Sequence, residues 1–243
     1  MMLSQSLKWR RAMKWCLPAV VWLASAWAQE PAKAEASAEL QLVLNKVDQT
    51  AAAFRTAQAS FVWDQYQKVV DETDTQKGTV YFRRAGNDIQ MAADISEPTP
   101  PKYLLFTDGK VDLYQPKIDQ ITRYNTGKDR AVVESFLVLG FGGSGRDMLK
   151  SFEVSYLRNE KVDGIDTAKL ELVPKSQKVR NTADHIWLWI DTARGVSVQQ
   201  KFFSPSGDNR LSKYSDIQLN QKIPESAFKL KTTAKTKIVS PQG

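Results

Sequence analysis

Tyr103-Leu104-Leu105-Phe106-Thr107-Asp108-Gly109-Lys110-Val111-Asp112-Leu113-Tyr114 is the stretch that decides the fold of this chain. Asp-Gly between two apolar runs is the strongest short-range hairpin signal a sequence can carry, and here it predicts strands over 103–106 and 111–114. The pattern extends both ways. Upstream, Val80, Phe82 and Arg84 share one face of a strand and Thr79, Tyr81 and Arg83 the other, while Ile89, Met91 and Ala93 alternate with Gln90, Ala92 and Asp94. Downstream, residues 120–124 follow a turn containing Pro116, and further period-two runs recur at Phe152/Val154/Tyr156, Ala168/Leu170/Leu172, Ile186/Leu188/Ile190, Val196/Val198/Gln200/Phe202 and 210–219. Short strands separated by turns, without helices between them, argue an antiparallel meander or barrel, because parallel units need crossover helices. Alternation places Val80, Phe82, Ile89, Met91, Leu104, Phe106, Val111 and Leu113 on apolar faces of neighbouring strands, where they form a concave lining or face the N-terminal helix.

That helix is read from Leu40, Leu44, Val47, Ala51 and Phe54, one apolar stripe at helical spacing. Before it, residues 29–38 are Ala, Glu, Lys and Pro with nothing large to bury, which reads as a flexible leader. Residues 131–149, AVVESFLVLGFGGSGRDML, break the strand pattern: a helix apolar nearly all round, a Gly-rich turn and a second short helix. A helix of that kind is buried or faces something other than water. Two readings stand, a core helix plugging a barrel end and a movable lid over an apolar cavity. Val133, Phe136, Leu137, Leu139 and Phe141 are the lid candidates.

Catalytic chemistry finds little purchase. Gly140-Phe141-Gly142-Gly143-Ser144-Gly145 satisfies G-x-G-x-x-G, but a dinucleotide site needs a strand before it and a crossover helix after it, and here a helix precedes it. The glycines read instead as a hinge or a helix C-cap followed by a tight turn. His185 is the single histidine and lacks a G-x-S-x-G elbow or a second metal-binding histidine. No enzyme, cofactor or metal is expected; carboxylate-only hydrolysis leaves no spacing signature in an all-β chain and stays open.

The N-terminus sets the compartment. Lys8, Arg10, Arg11 and Lys14 precede an uncharged apolar run over 15–27 that contains Pro18 and ends in Ala26-Trp27-Ala28. This is the pattern of a secretory signal peptide cleaved after Ala28, since the run falls short of the roughly 20 residues a membrane span requires. Cleavage removes four of the 34 basic residues and no acidic ones, so the mature net charge falls from +7 to about +3 and a nucleic-acid partner loses its main support. It also removes Cys16, the only cysteine, leaving no disulfide or thiol chemistry. Residues 39–243 are expected as one soluble, monomeric domain.

The ordered set Lys77-Gly78-Thr79-Val80-Tyr81-Phe82-Arg83-Arg84, Phe106-Thr107-Asp108-Gly109-Lys110-Val111-Asp112-Leu113-Tyr114, Leu188-Trp189-Ile190-Asp191 and Val198-Gln199-Gln200-Lys201-Phe202 resembles the LolA family of periplasmic lipoprotein carriers. The resemblance implies a mainly β fold with helices (α+β): a strongly curved, incomplete antiparallel barrel with an N-terminal helix and a helical lid. It implies an acylated lipoprotein or other lipid as cargo, with an inner-membrane ABC exporter and an outer-membrane receptor as candidate partners. Arg84 matches the arginine of the family's R-P-x-x-F-x-W segment, which holds the lid closed through hydrogen bonds to lid backbone. Here Ala85 replaces the proline, and Ile89 and Met91 stand where the aromatics would fall after a one-residue insertion, the mark of a divergent branch. The alternatives of the same shape are a periplasmic binding or sensor module for another amphiphile and a barrel filled by its own side chains, separated by the size of the cavity.

Overall fold

The computed structural model describes residues 29–86, 88–127 and 130–241; the expected signal peptide lies outside the described residues. Helix α1 (Gln29–Ala53) leads into a meander of β1 (Thr56–Gln67), β2 (Glu72–Ala85), β3 (Asp88–Glu97), β4 (Lys102–Thr107), β5 (Lys110–Gln115) and β6 (Gln120–Asn125). Helices α2 (Arg130–Leu137) and α3 (Gly145–Ser151) interrupt it. A second meander follows, made of β7 (Phe152–Val162), β8 (Ile165–Pro174), the single-turn α4 (Gln177–Arg180), β9 (His185–Asp191), β10 (Ser197–Phe203) and β11 (Asn209–Leu219).

β11 pairs antiparallel with β1, joining the two meanders into one open, curved sheet of twelve strands. The Asp108-Gly109 turn forms as the sequence dictates. Both residues adopt positive φ, 51° and 68°, which twists the turn with its flanking strands and sets Phe106 opposite Val111 and Leu104 opposite Leu113. The last strand, β12 (Lys237–Val239), pairs parallel with β6, a departure from the all-antiparallel expectation. A tether explains it: the hydroxyls of Thr233 and Thr236 donate to the Asp119 carboxylate and draw the C-terminal segment alongside β6.

The apolar side chains on the inner face of the sheet fall into two clusters. Val43, Leu44 and Val47 of α1 pack on Phe152, Leu170, Leu172, Ile186, Leu188 and Ile190, so the helix covers the β7–β9 half. Each such side chain contributes about 1.5–3 kcal/mol on burial. Over the other half, Phe54, Phe61, Val80, Phe82, Met91 and Phe106 are covered by Phe141 and by Val133, Leu137 and Val138 of the interrupting segment. The predicted stripe of α1 is therefore its buried face. The expected leader is corrected: residues 29–38 belong to α1. Ala, Glu and Lys are strong helix formers and carry a helix without needing anything to bury. Among the described residues no helix is long and apolar enough to cross a membrane.

Candidate functional site

Where α2 and its following turn lie over the second half of the sheet, they enclose a chamber of about 170 Å³. Six of the eight residues expected in a concave lining bound it: Val80, Phe82, Met91, Leu104, Phe106 and Val111. Ile89, near the end of β3, lies instead in an adjoining cavity of about 320 Å³ between the lid and α3. Leu113 bounds neither; it is half-buried, two residues further along β5 than Val111 and past the end of the chamber. Strand alternation gives the face of a residue but not how far the enclosure runs along it.

The lid candidates divide between the two clusters. Phe141, fully buried, sits on Phe82 and meets Tyr214 edge-on, while Val133 and Leu137 pack beside it. Phe136 faces Phe152 and Phe202, and Leu139, 3% exposed, belongs with the core under α1. The segment is thus a wedge with one edge in the core and one over the chamber. α2 ends at Leu137, and the chain then turns through Gly140 and Gly142.

Two side chains hold the wedge by its carbonyls. Arg84 Nη2 donates to the Gly142 carbonyl at 3.0 Å, and its Nε and Nη2 reach the Phe54 and Ala51 carbonyls at the end of α1 at 3.4 and 3.5 Å. The last turn of a helix leaves carbonyls free and partly negative, so a guanidinium is well placed there. Arg84 therefore joins β2, α1 and the lid turn, and it bounds the adjoining cavity rather than the chamber. From the other side, buried Gln200 donates through Nε2 to the Leu139 carbonyl at 2.6 Å, and Ser197 N donates to the Gly140 carbonyl at 3.1 Å.

The glycines follow from this seat. Gly140 has φ +80°, and a Cβ there would stand 2.1 Å from Ser197 Cβ; at Gly142, φ +88°, it would stand 2.6 Å from the Phe54 ring. The G-x-G-x-x-G stretch forms a tight turn with Gly140 and Gly142 at positive φ, and Ser144 then caps α3 by accepting from Asp147 N. Among the described residues no group of three His, Cys, Asp or Glu side chains is placed to hold a metal ion.

Sequence reading missed the polar wall opposite the lid. Trp63, Gln200, Phe202, Arg210, Ser212 and Tyr214 complete the chamber from β1, β10 and β11. The signal was present: Arg210, Ser212 and Tyr214 alternate along one strand and so share a face. Burial raises the Tyr214 hydroxyl pKa and holds the phenol neutral.

A sequence model of the family described as outer membrane lipoprotein carrier protein LolA matches residues 52–231. No curated protein sequence matches the chain. Among solved structures, an uncharacterized conserved protein from Thermus thermophilus superposes with a TM-score of 0.53 at 10% identity, over 83% of this chain and 99% of that one, and shares the fold. A LolA superfamily protein from Nitrosomonas europaea gives a TM-score of 0.40 at 18% identity over 79% and 97% of the two chains. The Mycobacterium tuberculosis lipoprotein LppX gives 0.49 at 10% identity over 77% and 98%.

Proposed function

Because the chain belongs to the LolA family of outer membrane lipoprotein carriers, we propose that it is a periplasmic carrier that shields acyl chains on the concave face of its sheet and ferries a lipoprotein or related lipid toward the outer membrane. The observation that carries this reading is the wedge over the chamber: Phe141, Leu137 and Phe136 fill apolar space that is lined elsewhere by Val80, Phe82, Met91, Leu104 and Phe106. A closed chamber of about 170 Å³ is below the roughly 300–1,000 Å³ of a usual ligand site, and withdrawal of three large side chains enlarges it.

Each acyl methylene removed from water contributes roughly 0.8 kcal/mol, so acyl chains cross an aqueous compartment only in such a container. Uptake and release then need no bond making, only an exchange between wedge and ligand for the same surface. Arg84 is the latch of this exchange, with Val133, Phe136, Leu137 and Phe141 as the moving lid, while Leu139, expected in the lid, stays seated in the core under α1. An inner-membrane ABC exporter would load the carrier and an outer-membrane receptor would unload it, after export through a signal peptide that leaves Gln29 as the mature N-terminus.

Native mass spectrometry of the protein taken from its own periplasm tests the proposal. The expected result is a mature mass beginning at Gln29 with a retained acylated species that is lost on denaturation. A protein carrying no lipid, and binding no acyl compound saturably when offered one, would overturn it.

A further inference from the structure

Arg210 stands in the chamber wall with no hydrogen-bonding or ion-pairing partner among the described residues. Its Cζ lies 5.0 Å from the Phe202 ring centroid and 5.9 Å from that of Trp63, and both rings bound the same chamber. Aromatic faces tolerate a guanidinium but satisfy none of its five N–H donors. Among the described residues no carboxylate bounds the chamber. The side chain is exposed over part of its surface and packs beside the two rings at the chamber wall.

Trp63 Nε1 is buried beside the Tyr214 hydroxyl and is not open to the chamber. Arg210 therefore brings an unpaired positive charge to a chamber whose other polar side chains, Gln200, Ser212 and Tyr214, are neutral. A carboxylate or phosphate oxygen pairs with that guanidinium more strongly than a neutral group does, so an acceptor that carries negative charge is the partner it fits best.

Resting on the reading of the chamber as an acyl site, we propose that the chamber selects amphiphiles with an anionic headgroup, the oxyanion seated on the fork of Arg210 and the chain lying across Val80, Phe82, Met91 and Leu104. Carboxylate and phosphate share the required chemistry, because either presents two oxygens to the parallel N–H bonds of a guanidinium. The head enters when the wedge withdraws, and the headgroup replaces Phe141 as the neighbour of the β11 wall.

The test compares decanoate, decyl phosphate and decanol on the full mature chain, by displacement of an apolar dye or by calorimetry. Expected is about tenfold or tighter binding of at least one anion than of decanol, with Arg210→Gln removing most of that difference and Arg210→Lys keeping part of it. Whichever anion binds more tightly identifies the source of the head as a carboxylate or a phosphate. Equal binding of all three to the wild-type chain would overturn anion selectivity and leave the acyl site standing. Saturable binding of none would overturn both. The wild-type comparison needs no variant, so a misfolded Arg210→Gln protein does not protect the proposal.

Discussion

The rings of Phe82 and Phe141 stack with centroids 4.8 Å apart and planes within 8° of parallel, so the residue at the tip of the lid turn lies directly on the floor of the chamber. The ring thereby fills the space that the proposed ligand would occupy, and a ligand entering there would displace an aromatic pair whose stacking contributes about 0.5–1.5 kcal/mol beyond the area it buries. The donors that hold the turn are Arg84 and Gln200, and on the proposed reading they would set how readily that displacement occurs.

Phe141→Ala removes the plug without touching either tether. Truncating a fully buried Phe costs about 3–5 kcal/mol, so unfolding by urea should move to lower concentration. Affinity for an apolar dye should rise in the same variant, because the ligand no longer competes with a ring. Weaker dye binding in a folded Phe141→Ala protein would place the ligand elsewhere.

Arg84→Leu deletes the hydrogen bond to the Gly142 carbonyl and those to the end of α1. A charged donor to a carbonyl is worth about 1.5–3 kcal/mol, and its loss weakens the closed, empty form more than the open, loaded one. The fold should persist, with ligand release slowed about tenfold and uptake little changed, as stopped-flow dye displacement would measure. Release at the wild-type rate would show that Arg84 braces α1 rather than latching the lid.

Much of this arrangement was legible in the chain. Period-two alternation and Asp108-Gly109 placed the hairpins, and the stripe from Leu40 to Phe54 placed the inner face of α1, because both follow from local periodicity. The same rule groups Val80, Phe82, Met91, Leu104, Phe106 and Val111 on apolar faces, and these bound the chamber. The partner of Arg84 at the end of α1, the Gln200 tether and the Arg210 wall did not, since each depends on which distant strand the curved sheet brings opposite the lid. β12 escaped because three residues pairing parallel carry no periodic signal of their own.

Leu139→Glu and Phe136→Glu should behave differently although both lie in the lid segment. Leu139 is buried among Val43, Leu44, Val47 and Leu188, so a carboxylate there finds no partner and costs several kcal/mol, enough to unfold the domain. Phe136 is half-buried between Phe152 and Phe202, and its substitution should leave a folded protein with a loosened lid and raised dye binding. Circular dichroism melts of the pair decide the matter. Equal unfolding by both would make the whole segment core and remove the ground for a moving lid.

Acid should loosen the lid seat through Asp191, at the turn between β9 and β10. Burial acts to raise the pKa of this carboxyl, but the Arg194 guanidinium at 2.6 Å and the N–H groups of Arg194 and Ala193 at 3.0 and 2.8 Å outweigh it and hold the pKa below the ordinary value. A depressed carboxylate pKa means that the folded form binds its proton less readily than the unfolded form does. The stabilisation is therefore complete above the unfolded Asp value of about 3.9 and is lost as pH falls through the folded value. The same turn is clasped to α1, since Thr50 Oγ1 donates to the Arg194 carbonyl, and it sets the start of β10, which carries Ser197 and Gln200 against the lid. Asp191→Asn should cost about 1–2 kcal/mol at pH 7, and the gap to wild type in urea midpoint should close toward pH 3. Dye affinity should rise over the same acid range in the wild-type protein as the tethered carbonyls are released. A gap that stays constant from pH 7 to pH 3 would show that the Asp191 charge contributes nothing to the turn.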